Sequence, residues 1–167
     1  MSKLIIPIIM AATFMALTAQ AKTILPTASV IMKKGYDKGA GLGTGTAQFY
    51  DHAPDNRCTG RTRLYKFSLI TGAQANKPIP AGQVIFLSAY TNRYNSQMDG
   101  SVPSGVSVNT AKCENRVEFT PIAGETYEVV QKVEIGKNCT MQIIAKSSMA
   151  PPADLKEVDP ATCSAKK

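Results

Sequence analysis

The side chain best suited to acid–base chemistry in this sequence is a single histidine. His52 is the only His among 167 residues and lies in the segment Asp51-His-Ala-Pro-Asp55. A carboxylate that orients an imidazole is typical of a general base, and aspartates beside a histidine can bind a metal ion. The segment is polar and turn-forming, and no nucleophile or second histidine accompanies it. We therefore interpret His52 as part of a solvated turn and keep a hydrolase or metal-dependent activity as the least favoured alternative.

Three arginines lie within seven residues, at Arg57, Arg61 and Arg63. Guanidinium groups bind carboxylates and phosphates bidentately, so these side chains could hold an acidic partner. The alternative is a solvated strand edge, where the charges prevent association with another sheet edge. We name all three as candidate binding residues.

A polar segment from Thr91 to Ser104 is long for a hairpin connection. Tyr90, Arg93 and Tyr94 lie at its start, and Tyr and Arg are enriched at the centres of protein interfaces. The pattern predicts a loop that contacts a partner through these three side chains. An ordinary surface loop is the alternative.

Glycine occupies every second position from Gly39 to Gly45. The spacing matches neither the dinucleotide fingerprint nor the phosphate-binding loop, and no Gly-Lys-Ser/Thr follows it. We interpret the run as a mobile loop. The sequence thus indicates no catalytic residue, no metal site and no cofactor, and it does not reveal a biochemical function directly.

The first 21 residues have the three parts of a secretory signal peptide. A positive start at Lys3 precedes an apolar run, Leu4 to Leu17, and Ala19-Gln-Ala21 matches a cleavage site. The run is shorter than the roughly 20 apolar residues that span a bilayer, so no membrane span is expected after cleavage. We expect the mature chain in the periplasm or outside a Gram-negative bacterium.

Four cysteines lie in the mature part of the chain, at positions 58, 113, 139 and 163. An even number in an exported chain predicts two disulfides. A zinc site is less suitable, because the gaps are wide and no C-x-x-C pair is present. Three pairings are possible, and we favour Cys113 with Cys139 and Cys58 with Cys163. The second bridge would hold the C-terminal tail in place.

Short β-branched and aromatic runs separated by ten prolines and twelve glycines predict an all-β fold. About seven strands would form an antiparallel β-sandwich, with a small open β-barrel as the alternative. The domain would cover residues 22–146, and 147–167 would be an extended tail.

The clearest strands are those opening at Cys113 and Cys139 and the strand between them, from Glu125 to Val133. We predict that these three form a meander within one sheet. Both cysteines would then start at the same end of the sheet, one strand apart, which is the geometric reason for the favoured pairing.

The stretch with Val117, Phe119, Pro121, Gly124 and Tyr127 between two cysteines resembles small uncharacterised periplasmic β-sandwich proteins of proteobacteria. In those proteins a strand, a Pro-x-x-Gly turn and a Tyr-bearing strand recur. The turn and its tyrosine are also similar to a corner of transthyretin-like sandwiches. This resemblance implies a fold and a compartment, and it transfers no active site.

The formal charge is +7, and it becomes +6 once Lys3 is removed with the leader. Nucleic acid is a poor partner for an exported chain without Trp or a stacking platform. We therefore predict a non-enzymatic binding or accessory protein, with an inhibitor as one possible role, that presents loops to an acidic protein partner. The alternative from another class is a protein that binds a small ligand or an envelope glycan.

Overall fold

The computed structural model describes residues 25–36, 44–68, 70–98, 106–133 and 139–163, which form two β-sheets. The expected signal peptide lies outside these residues, and so do positions 39–43 of the glycine run. The strands are β1 (Thr27–Lys33), β2 (Thr44–Ala53), β3 (Thr62–Phe67), β4 (Gln74–Pro80), β5 (Ile85–Met98), β6 (Val106–Phe119), β7 (Thr126–Lys132), β8 (Thr140–Ala145) and β9 (Lys156–Glu157). A short 3-10 helix, Pro160–Cys163, follows β9. No helix in the described part of the chain is long and apolar enough to cross a membrane.

One sheet has the order β4-β1-β7-β8 and the other has the order β3-β2-β5-β6-β9. Neighbouring strands are antiparallel except β1 and β7, which are parallel. Among the described residues no strand pair joins the two sheets, so the sandwich is confirmed over the open barrel. The described part of the chain has nine strands where the sequence predicted about seven.

The core fills the space between the two sheets because each strand alternates inward apolar with outward polar residues. In β7, Tyr127 and Val129 point inward between half-buried neighbours. The rings of Phe119 and Tyr127, from opposite sheets, meet edge to face at 5.1 Å. The most deeply buried apolar side chains come from both sheets: Val30, Met32, Tyr50, Phe67, Ile79, Ile85, Leu87, Ala89, Phe119, Tyr127, Val129 and Ile143.

Segments rich in polar residues or proline also form strands. Strand β4 (Gln74–Pro80) lies at the edge of its sheet, where its prolines are tolerated because one side of an edge strand needs no ladder hydrogen bonds. The expected binding loop after Tyr90 continues as β5 up to Met98, paired throughout with β6. Its polar residues hid this strand, since the ladder pairing with β6 does not require an apolar face.

The predicted three-strand meander is wrong. β6 belongs to the five-stranded sheet, while β7 and β8 belong to the other. The turn between β6 and β7 carries the chain across, with Gly124 at a φ of 78° that favours glycine. The prediction failed because alternation shows which residues face inward but not which sheet a strand joins.

Both favoured disulfides are present. Cys58 and Cys163 lie 5.2 Å apart at their Cα atoms, and Cys113 and Cys139 lie 6.0 Å apart. The Cys113–Cys139 bridge links the two sheets instead of spanning one curled sheet, so the pairing is confirmed although its geometric reason was wrong. Two disulfides are consistent with an oxidising, exported compartment.

Candidate functional site

The outer face of the five-stranded sheet carries two stacked aromatic rings. Phe49 of β2 lies directly opposite Tyr90 of β5 in the antiparallel register. Their ring centroids are 4.7 Å apart and the planes differ by 13°. Both side chains point away from the core, since their neighbours Gln48 and Tyr50 point into it. The pair is therefore a flat platform on the outside of the sandwich.

A buried carboxylate lies beside this platform. The β2–β3 register shifts between Tyr50 and Asp51, and this irregularity puts Asp51 opposite Arg63. The Asp51 side chain is only 3% exposed, and it accepts hydrogen bonds from Arg61 Nε at 2.7 Å and from Arg63 Nε. A buried carboxylate needs such charged donors to offset the loss of hydration. One anion thus fixes two guanidinium groups.

Both guanidinium groups lie over the aromatic platform. Arg61 is 5.1 Å from the Tyr90 ring and Arg63 is 4.6 Å from the Phe49 ring, within the range of cation–π attraction. Arg63 also donates from Nη2 to the Tyr90 hydroxyl at 2.5 Å, and Lys66 Nζ lies 5.5 Å from Phe49. We call this set the arginine–aromatic patch: Phe49, Asp51, Arg61, Arg63, Lys66 and Tyr90.

The patch keeps a positive charge at neutral pH. Burial of the Tyr90 hydroxyl, followed by the charge of Asp51, raises the pKa of Tyr90, although Arg63 and Arg61 act in the opposite direction. The phenol therefore stays neutral, and the three cations outnumber the one carboxylate. The side chains of Arg61 and Arg63 are 30% and 47% exposed, so part of each guanidinium faces solvent.

A pocket of about 240 Å³ adjoins the patch. Two rows of side chains form it, since Tyr90 pairs with Glu114 and Asn92 pairs with Lys112 in the β5–β6 register. Burial is the main cause that raises the pKa of Glu114, and Asp51 adds to it against Arg61 and Arg116. The lining residues are Arg61, Tyr90, Asn92, Lys112, Cys113 and Glu114.

A third arginine has a structural position at the other end of this face. Arg116 is buried and donates to the carbonyls of Asn56 and Asp55 and to the Thr162 hydroxyl, at 2.9 to 3.1 Å. Burial lowers the pKa of Arg116, with the charge of Arg61 as the second cause. Its contacts fasten the turn after β2 to the C-terminal segment, beside the Cys58–Cys163 bridge.

The structure brings together three of the six predicted binding residues, namely Arg61, Arg63 and Tyr90. Arg57 is exposed on the turn between β2 and β3. Arg93 is half-buried, and strand alternation puts it on the opposite face of β5 from Tyr90. Tyr94 lies further along β5, opposite Thr110.

The solvated-turn interpretation of His52 is wrong, because His52 lies in β2 opposite Leu87. The imidazole is half-buried, burial lowers its pKa against the charge of Asp51, and its buried Nδ1 has no hydrogen-bond partner among the described residues. Asp51 faces the arginines on the other side of the strand. In the same described ranges, no group of three or more acidic, Cys or His side chains could hold a metal ion.

Sequence reasoning missed Phe49 and Lys66 altogether and considered Asp51 only as a carboxylate that orients His52 or as a metal ligand. The alternation of Gln48, Phe49 and Tyr50 was the available signal for this strand. It was hard to recognise because the inward residue Gln48 is polar.

A scan against models of protein families found no match, and a search of curated proteins found none either.

Proposed function

We propose that this chain is an exported, non-enzymatic binding or accessory protein that holds an acidic protein partner against its arginine–aromatic patch. We assign it to the periplasm or the cell exterior. The disulfides and the leader pattern support this assignment, and the net positive charge supports an acidic partner. An inhibitor of the partner is one role that such a protein could have.

The single observation that carries the proposal is the fixing of two guanidinium groups by one buried carboxylate. Asp51 binds Arg61 and Arg63 through their Nε atoms, so this carboxylate does not occupy the Nη groups of either arginine. Arginine normally loses side-chain freedom when it binds a partner, and part of that entropy is already lost here. A preorganised pair of guanidiniums above aromatic rings is well suited to bind carboxylates of a protein surface bidentately.

Site-specific photo-crosslinking in an envelope extract tests this proposal. A photoreactive residue replaces Lys66, an exposed member of the patch in β3, and a matched variant carries it at Lys77, which is exposed in β4 of the other sheet. We expect the Lys66 position to give an adduct with an acidic protein, identified by mass spectrometry, and the Lys77 position to give none. The adduct should weaken at high salt, because exposed charges are screened.

Equal adducts at both positions, or no salt-sensitive adduct at the Lys66 position, would contradict the proposal. Adding Arg63→Gln to the Lys66 variant should reduce the yield, and an unchanged yield would also count against the patch as the contact surface.

A further inference from the structure

The pocket beside Tyr90 contains cationic groups that the internal ion pairs leave partly available. Arg61 uses Nε for Asp51, while its Nη2 lies 3.9 Å from the nearest Glu114 oxygen, beyond hydrogen-bond distance. The exposed Lys112 and the half-buried Asn92 add an ammonium and an amide from the next row of the sheet. Hydrogen-bond donors from Arg61, Asn92 and Lys112 therefore line the pocket, which could take up a hydrogen-bond acceptor.

The volume and the donors favour one oxyanion group with a short aliphatic attachment. The pocket, of about 240 Å³, is partly open to solvent and has room for a carboxylate group with a short aliphatic attachment. Tyr90 supplies an apolar wall, and Arg61 supplies planar donors that match a carboxylate. The Glu114 carboxyl is the one feature of the lining that opposes an anion while it is charged.

We infer that this pocket binds a single carboxylate of the acidic ligand, and that Glu114 takes up a proton from solvent when that carboxylate enters. Protonated Glu114 then donates its O–H to the incoming carboxylate, so that two carboxyl groups share one proton between them. A phosphate dianion is less suitable, because one proton on Glu114 does not offset two negative charges. This inference rests on the proposed function, since the partner supplies the carboxylate.

The surroundings of Glu114 favour its neutral form. Burial is the first cause of its raised pKa, and the nearby Asp51 acts in the same direction. The charged and titratable groups that face it come from five parts of the fold: Asp51 of β2, Arg61 before β3, Tyr90 of β5, Lys112 and Arg116 of β6, and Glu157 of β9. Because the arginines only partly offset burial, Glu114 takes up its proton at a higher pH than a solvated carboxyl group does.

The test uses a capped glycine–glutamate–glycine peptide as the probe, titrated into the full-length protein and followed by backbone amide chemical shifts. We expect chemical-shift changes at Lys112 and Cys113. The dissociation constant should fall about tenfold from pH 7.5 to pH 5.5, which is the ratio expected if peptide binding raises the pKa of Glu114 by about one unit. Glu114→Gln, which is always neutral, should bind tightly at both pH values. Arg61→Gln should lose binding at both.

Glu118→Gln is the matched control, because Glu118 lies on the same strand, pairs with Lys156 at 3.5 Å and is not part of the pocket. It should keep the pH dependence of the unmodified protein. The inference is overturned if Glu114→Gln retains that pH dependence, if the glutamine analogue of the peptide binds equally well, or if inorganic phosphate binds more tightly than the peptide. If the peptide causes no chemical-shift changes but the Lys66 position still gives its crosslink, the carboxylate pocket is overturned and the protein partner is not. If the peptide binds but the Lys66 position gives no crosslink, only the proposed protein partner is overturned.

Discussion

Two polar clusters lie on opposite sides of the same sheet, and they differ in charge and in openness. The inner cluster surrounds Gln131 between the two sheets, and its members are neutral and buried except for the half-buried Asn115. The outer cluster is the arginine–aromatic patch, which carries three cations and is partly exposed. A closed neutral network stabilises the fold, whereas an open charged one has donors left for a partner.

The inner cluster pairs its polar groups with each other. Gln131 donates from Nε2 to the Ala89 carbonyl and to Asn115 Oδ1, both at 2.8 Å, and its Oε1 accepts from the Thr91 hydroxyl at 2.8 Å. Gln48 donates to the Gln131 carbonyl at 2.8 Å. A low dielectric strengthens such a network and makes any gap in it costly. The cluster therefore joins the sheets next to the Cys113–Cys139 bridge.

The largest effect is expected from breaking the inner cluster. Gln131→Leu should lower the free energy of unfolding by about 3 to 5 kcal/mol, because several buried groups lose partners at roughly 1 to 3 kcal/mol each. Urea denaturation measures this change. Gln142→Leu is the control, since Gln142 is exposed on β8, and should stay within about 0.5 kcal/mol. Similar values for the two variants would show that the inner network does not stabilise the sandwich.

Breaking the centre of the outer cluster should cost less stability and more binding. Asp51→Asn removes the charge that holds Arg61 and Arg63, but both guanidiniums can turn to solvent, so we expect a loss of about 1 to 2 kcal/mol. The yield of the Lys66 crosslink should fall severalfold. Glu128→Gln, which breaks the part-exposed pair with Lys33 on the other sheet, should change stability by less than about 1 kcal/mol and leave the yield unchanged. If Asp51→Asn unfolds the protein as severely as Gln131→Leu, the outer cluster is structural.

A charge-preserving change separates geometry from charge in the patch. Arg63→Lys keeps the cation but loses the planar donor group, so it should lower the crosslink yield, and the loss of the Nε bond to the buried Asp51 should lower stability by about 1 kcal/mol. Arg57→Lys, on the exposed turn, should change neither quantity. Equal yields for both variants would mean that net charge alone attracts the partner.

The sequence predicted the inner side of the molecule better than the outer side. Tyr127 and Val129 showed their alternation directly, and the even number of cysteines in an exported chain indicated two bridges. The outer patch depends on a register irregularity at Asp51 and on the pairing of Phe49 with Tyr90, and neither can be derived from local alternation. Strand β2 was missed because its inward residues include Gln48, whose burial depends on a partner 83 residues away, Gln131.

The smallest expected effect concerns pH and tests whether the inner side of β2 excludes charge. Burial lowers the pKa of His52 below its usual 6.5, so the unfolded chain binds this proton more readily than the folded chain. The contribution of His52 to stability is therefore complete above pH 6.5 and decreases as the pH falls toward the lowered pKa. Urea midpoints measured from pH 7.5 to 5.0 should fall less steeply for His52→Gln than for the unmodified protein, and taking the difference cancels the titration of Glu114. A steeper fall for His52→Gln would mean that folding favours the charged imidazole. The inner side of the sheet would then tolerate charge, as the patch does.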